Sequence, residues 1–345
     1  MDKILVTGGA GFIGRHLLKR LSSLNYEIII IDKLSNINET FYSVNNNGIT
    51  FYGEDIVDRK AVFDIFSQEK IDACIHLAAK TSISDSILNP YDTLYINIEG
   101  TLNLLEACSN YGVRKFVFAS SSSVYGEPKQ LPTREDHSLY PLSPYGASKA
   151  AAELLVSTYE NLKKIDQTIS LRFFNVFGKG QSKYGGVIAA FLERLSRGLA
   201  PIIYGDGNQT RDFISVNDVV NAILLAVKLD DKVSHQDILS SSIFNIATGR
   251  SITINELAHL MIRISGFDLE PLYEPERKSD IKHAKADVTE SKKVLGFTAS
   301  RSLESELELM VKHAISQFNQ SKMSSMQSTF DRIELDKSRL GSSYS

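Results

Sequence analysis

The chain has 345 residues, 43% of them hydrophobic and 23% charged, a composition that allows one large core or two closely packed ones. A net charge of −3 leaves no surplus of positive charge for a phosphate backbone or an anionic membrane surface, so nucleic acid and membranes are poor partners. No run approaches the roughly 18 apolar residues of a membrane helix, and the two cysteines, Cys74 and Cys108, sit in apolar runs, so a cytosolic protein with two buried thiols is expected.

The first residues, Lys3 to Thr7, read as a strand rather than a signal peptide. The strand runs straight into Thr7-Gly8-Gly9-Ala10-Gly11-Phe12-Ile13-Gly14, and a helical pattern follows over Ile13 to Leu24. Gly8, Gly11 and Gly14 let the backbone turn tightly and approach a pyrophosphate, while the helix start offers unpaired N–H groups, with Phe12 and Ile13 in its first turn. A second strand, Glu27 to Asp32, ends on a carboxylate about 20 residues later, the position that binds adenosine ribose hydroxyls and repels the phosphate of NADP. NAD is therefore the expected cofactor; Lys33 is the one neighbour that would tolerate a phosphate.

Strand and helix patterns then alternate: Ile49 to Tyr52, Arg59 to Ser67, Ala73 to Leu77, Tyr91 to Asn110, Lys115 to Ser120, Pro144 to Leu162 and Thr168 to Phe174. Asp55 and Ile56 follow the third strand, where the adenine would lie. The fourth ends in His76-Leu77-Ala78-Ala79, whose small residues let a dinucleotide lie close; lone His76 on an apolar strand reads first as structural. This rhythm predicts an α/β fold, a Rossmann-like doubly wound parallel sheet, over residues 1–178. Residues 179–318, with helices at Val187 to Arg197, Val216 to Lys228 and Ile254 to Ile264, read as a smaller substrate-binding part with little sheet of its own, interleaved with the first. Residues 319–345 read as a flexible Ser-rich tail.

The fifth strand ends in Ala119-Ser120-Ser121-Ser122-Ser123-Val124-Tyr125-Gly126, a run of hydroxyls at the carboxyl edge of the sheet, where ligands bind. Next comes Ser143-Pro144-Tyr145-Gly146-Ala147-Ser148-Lys149. Ser143 suits an N-cap and Pro144 the first helical position, so Tyr145 stands in the first turn with Lys149 four residues on, on the same face. A free tyrosine titrates near ~10, and an adjacent ammonium and helix N-terminus are expected to lower it toward a working base.

With these residues the sequence resembles the extended short-chain dehydrogenase/reductase family over about residues 3 to 318, and within it the nucleotide-sugar 4-epimerases. Further matches are Asn97-Ile98-Glu99-Gly100-Thr101, Arg172-Phe173-Phe174-Asn175-Val176-Phe177-Gly178, Tyr204-Gly205-Asp206-Gly207, Gln209-Thr210-Arg211-Asp212-Phe213 and Asp280 to Asp287. The resemblance implies that Ser121 and Tyr145 share the proton of a sugar 4-hydroxyl while Lys149 also holds the nicotinamide ribose. It adds Asn36, Asn97 and Ala79 to the cofactor contacts. It places Ser122, Asn175, Val187 and Tyr204 at the substrate, with Arg211 and Arg277 on the nucleotide phosphates and Asp280 on the uridine ribose. No metal is called for. The family's dehydratases carry an Asp-Glu pair where this chain has Ser122-Ser123, and its decarboxylases a Glu at 123, so both reactions are disfavoured. Ala284 stands where epimerases confined to plain hexoses place a bulky residue, so an N-acetylated UDP-sugar is expected alongside UDP-glucose and UDP-galactose. A UDP-glucuronate 4-epimerase, a dehydratase or reductase of the same family, and a dinucleotide-sensing regulator without activity are the competing readings. Relatives pair through two helices, so a homodimer is expected through Leu94, Ile98, Leu102 and Leu105 with Ala150 and Leu154.

Overall fold

The structure, a computed structural model, describes residues 3–33, 48–182, 185–229, 242–276 and 281–320. The first half alternates β1 (Lys3–Thr7), α1 (Phe12–Ser22), β2 (Glu27–Ile31), β3 (Ile49–Tyr52), α2 (Arg59–Gln68), β4 (Ala73–His76), α3 (Ile83–Leu88), α4 (Pro90–Leu94), α5 (Gly100–Asn110), β5 (Lys115–Ser121), α6 (Pro144–Asn161) and β6 (Gln167–Phe173). The second half follows with β7 (Asn175–Phe177), α7 (Val187–Ser196), β8 (Ile202–Tyr204), β9 (Thr210–Arg211), β10 (Phe213–Ser215), α8 (Val216–Lys228), β11 (Ile243–Ile246), β12 (Ile252–Thr253), α9 (Ile254–Ser265), β13 (Leu272–Glu274), α10 (Thr289–Val294) and a helix over residues 303–320.

The main sheet has seven parallel strands in the order β11-β6-β5-β4-β1-β2-β3, so the chain reverses its direction of winding between β1 and β4. Its strands read as unbroken apolar runs because both faces are covered. Ile4 and Val6 of β1 face α1 and α8, while Leu5 faces the layer of α2, α5 and α6; Val117 and Phe116 of β5 divide in the same way. This doubly wound sheet is the expected fold, with two differences. The seventh strand, β11, comes from the second half and escapes sequence reading because Asn245 interrupts its short apolar run. Helix α8 also belongs to the sheet's own layer, beside α1, rather than to a separate cap. The remaining second-half elements form three two-stranded sheets and a core of their own, built on α7, α9 and the last helix.

The expected single helix from Tyr91 to Asn110 is three pieces. Asn89 caps α4 with Pro90 at the first position, and a π turn over Tyr95–Glu99 separates α4 from α5. The turn lets the buried Asn97 side chain leave the helix, accept from Lys80 N (2.8 Å) and donate to Lys80 O (3.0 Å) and Ser148 Oγ (2.8 Å). The apolar residues named for a dimer face also divide. Leu94 and Leu154 are exposed, Ile98 and Leu102 half-buried, and Leu105 and Ala150 buried in the core, because α5 and α6 spend those positions on the sheet and its neighbours. Of the expected tail over 319–345, residues 319 and 320 instead continue the last helix, and the rest, from Ser321 onward, lies outside the described residues. Among the described residues no helix is long and apolar enough to cross a membrane.

Candidate active site

The glycine loop closes directly on the end of β4. Gly8 takes φ +70°, and a Cβ there would stand 2.7 Å from Ala78 N. Gly14 is tighter: its Cβ would lie 2.3 Å from Gly8 O and 2.6 Å from Gly9 O, so the first turn of α1 folds back on the loop with no room for a side chain. Gly11, the residue before α1, makes no side-chain cap, which leaves the helix start open toward the crevice. Asp32 is buried and accepts from Ala10 N (2.9 Å), bringing the strand-two carboxylate to the loop. Lys33 lies against Asp55 (3.4 Å), whose other oxygen accepts from Val57 N; Ile56 turns its side chain into the core against Gly100. Leu77, Ala78 and Ala79 are half-buried along the same edge, as are Phe12 and Ile13 at the start of α1. A glycine cradle that a Cβ would fill, an uncapped helix start and a carboxylate at the second strand's end fit a dinucleotide. Asn36 lies outside the described residues.

On the other side of β4 the serine run turns sharply over Ser122–Val124. Ser121 Oγ accepts from Ser123 N (3.2 Å) and from the Ser123 hydroxyl (2.9 Å). Its own proton is thereby left to turn toward Tyr145, whose phenolate the Ser121 hydroxyl favours. Ser123, read in the sequence only for the carboxylate it lacks, is thus the group that orients Ser121. α6 begins as expected, with Ser143 Oγ accepting from Gly146 N (3.1 Å) and Pro144 at the first position. Gly146 is required by closeness: a Cβ would stand 2.6 Å from Ser123 O, so only glycine lets the helix start meet the serine turn.

Tyr145 and Lys149 are both buried. Lys149 Nζ donates to Ala119 O (2.9 Å) and lies 4.7 Å from the centre of the Phe118 ring. Burial pulls its pKa down from 10.5 to about 7, so the ammonium and the free amine are both accessible near neutrality. Tyr145 differs from expectation. Burial raises its phenol above the ordinary value, opposed only by the Ser121 hydrogen bond, because loss of water penalises the phenolate more than one donor relieves it.

Behind the serine turn a second polar group is sealed in. Arg172 donates to Glu153 through Nε (3.0 Å to Oε2) and to Tyr125 Oη (2.8 Å), Ser120 donates to Glu153 (2.7 Å), and Tyr125 donates to Asn245 (2.6 Å). It ties β5, β6, β11 and α6 together beneath the site.

The remaining residues named from the sequence come from the second half. Asn175 opens β7 just beyond the carboxyl end of β6, and its N–H donates to Asp212 O (3.1 Å), which brings it beside the Arg211 segment. Arg211 lies on β9, half-buried, with Nη1 on Thr210 O (2.9 Å). Residues 282–284 run along Thr210, with Ala284 N donating to its carbonyl (3.1 Å), and Glu127 accepts from Lys282 N (2.7 Å). Val187 starts α7 and Tyr204 ends β8, both half-buried. Arg277 and Asp280 lie outside the described residues.

The model of the family described as NAD dependent epimerase/dehydratase matches residues 4–247. A putative UDP-glucose 4-epimerase of Methanocaldococcus jannaschii is 38% identical over 288 residues, 83% of this chain and 90% of the relative. The UDP-glucose 4-epimerase of Thermotoga maritima, crystallised with UDP-glucose, superposes with a TM-score of 0.81 at 38% identity, covering 90% of this chain and 97% of that one. The UDP-N-acetylglucosamine 4-epimerase of Methanobrevibacter ruminantium superposes with a TM-score of 0.83 at 34% identity, covering 92% and 99%. The chain belongs to the NAD-dependent epimerase/dehydratase family, among its nucleotide-sugar epimerases.

Proposed function

We propose that this protein interconverts the C4 epimers of a UDP-sugar, UDP-N-acetylglucosamine and UDP-N-acetylgalactosamine included. The observation that carries the reading is the serine turn: Ser121 is oriented by Ser123 toward Tyr145, and hydroxyls stand at 122 and 123 where elimination or decarboxylation would need a carboxylate.

When bound, NAD supplies a hydride acceptor and donor at the sugar carbon. The glycine loop with Phe12 and Ile13, Asp32, Asn36, Asp55, Ile56, the Leu77–Ala79 edge, Asn97 and Lys149 would hold it. Tyr145 and Ser121 take the proton of the 4-hydroxyl and return it after the 4-keto sugar has turned over. The route is two-way because Ser121 donates to the phenolate and can receive again through Ser123. Lys149, titrating near neutrality, keeps a cation within reach of the deprotonated tyrosine. Asn175, Val187, Tyr204, Arg211, Arg277 and Asp280, with Ser122, would anchor the nucleotide and the sugar, the arginines by their fork geometry. Ala284, half-buried and packed along Thr210, leaves space for a 2-acetamido group next to that anchor.

Incubation with each candidate UDP-sugar, the glucuronate included, followed by proton NMR tests the reading: epimers of unchanged mass are expected, and loss of water or carbon dioxide would overturn it. Tyr145→Phe is expected to lower turnover by at least about 10²-fold while the sugar still binds. Full activity in that variant would refute the proton transfer. We further propose a homodimer through the exposed Tyr91, Leu94 and Tyr95 with Leu154 of α6, large apolar side chains held in solvent on neighbouring elements. A monomer mass in light scattering at micromolar concentration would rule it out.

A further inference from the structure

Beneath the crevice between β1 and β4 lies a chain of hydrogen bonds whose direction is fixed by its ends. Ala78 N donates to Thr7 Oγ1 (3.2 Å), which leaves the Thr7 proton for His76 Nδ1 (2.7 Å). A neutral imidazole that accepts at Nδ1 carries its proton on Nε2, and Nε2 lies 2.9 Å from Thr101 Oγ1. Thr101 passes its own proton to Asn97 O (2.6 Å). The Asn97 side chain then donates to Ser148 Oγ (2.8 Å), and Ser148 donates to Tyr145 O (2.7 Å).

Thr7, His76, Asn97, Thr101 and Ser148 are all buried. The opposite tautomer fails on both sides. With the proton on Nδ1, Thr7 would receive two donors and strand its own hydrogen, while Asn97 O and His76 Nε2 would compete for one Thr101 proton. An imidazolium strands the Thr7 hydrogen in the same way. The rings of Phe116 and Phe118 lie 6.0 and 5.7 Å from the imidazole, and the charge that faces it is that of Lys149 from α6. Burial and that charge both hold His76 well below its ordinary pKa.

We propose that His76 is a positioning residue of the epimerase, a permanently neutral Nε2–H imidazole through which the floor of the dinucleotide crevice sets the place of Tyr145. This rests on the reading that the crevice holds NAD and that Tyr145 moves the proton. The chain joins three segments that no secondary-structure ladder joins: the end of β1 just before Gly8, the π turn carrying Asn97, and the first turn of α6. A fully satisfied buried network holds such segments in one register, and an interrupted one does not.

The tautomer is testable in the unaltered protein. His76 is the one buried histidine among the described residues, so its slowly exchanging ring N–H identifies it in a nitrogen-15 spectrum of histidine-labelled chain. We expect the proton on Nε2 and no titration near the ordinary histidine value. A proton on Nδ1, or titration near that ordinary value, would overturn the proposal. Thr101→Val should lower kcat by about tenfold or more with KM for the sugar nucleotide changed by less than about threefold, and should displace the pH profile of kcat; Thr101→Ser should restore both. A folded Thr101→Val with unchanged kcat and pH profile sinks the proposal alone. A wild-type chain that epimerises none of the UDP-sugars sinks the functional reading as well, whatever the tautomer.

Discussion

Lys149→Met is expected to stabilise the protein while destroying its activity. Burial lowers the Lys149 pKa from 10.5 to about 7. At ~1.4 kcal/mol per unit, the protonated lysine costs the fold at most about 5 kcal/mol at acid and neutral pH. Against this, the variant loses the hydrogen bond to Ala119 O and the contact over Phe118, each worth about 1 kcal/mol, so the net gain is on the order of 2–3 kcal/mol. The sign follows from linkage. The unfolded chain keeps this proton up to its ordinary value, whereas the folded chain releases it near 7. Wild-type stability therefore climbs between about pH 7 and pH 10, and the advantage of the variant is greatest below pH 7 and closes as pH rises. Urea unfolding of NAD-free protein across that range, with turnover followed by proton NMR, measures both halves. A variant less stable than wild type at pH 6, or a difference that does not change with pH, would refute the reasoning.

Gly14→Ala should weaken NAD binding, because its Cβ would meet two backbone oxygens that cannot move aside, at 2.3 and 2.6 Å. Overpacking of about 1–3 kcal/mol corresponds to a loss of roughly 5- to 150-fold in affinity, read by titration with NAD. Gly11→Ala, whose Cβ would stand 3.1 Å from Gly8 O, should lose less; the reverse order would count against the cradle. Arg172→Met strands the buried Glu153 carboxylate with only the Ser120 hydroxyl and should cost about 3–5 kcal/mol in urea denaturation. Adding Glu153→Gln should recover part of that loss, and a single variant costing under about 1 kcal/mol would show that the pair does not hold the strands.

What was legible in the sequence is what local chemistry writes. The passage from β1 through Gly8 and Gly14 to α1, and the start of α6 at Ser143 and Pro144, are punctuated by residues whose backbone or capping needs are met within a few positions. The same holds for Asn89 and Pro90, which mark a helix start one residue before the apolar pattern that begins at Tyr91. The π turn was not legible, since its cause is Asn97 reaching Lys80 and Ser148, residues distant in the chain. Nor was the direction of the Tyr145 shift: spacing announces the lysine and the helix start, but the burial that outweighs them is a property of the packed site. Leu105 and Ala150 misled for the same reason, being apolar on helices with more than one buried side. The roles of Ser123 and His76 become visible only when donors and acceptors are counted in space.

The π turn over Tyr95–Glu99 also sets how this stretch tolerates change in length. It takes up one residue beyond regular helical winding, and each residue turns a helix by about 100°. α4 can therefore show Tyr91 and Leu94 to the outside while α5, continuing the same rod, shows Leu104, Leu105 and Cys108 to the sheet. Deleting a single residue from the turn would restore regular winding with both faces where they are, and would withdraw Asn97 from Lys80 and Ser148. Substitutions at half-buried Ile96 or Ile98 leave both the winding and the Asn97 bonds intact, so in this segment a one-residue deletion is felt at Asn97 rather than at the apolar faces.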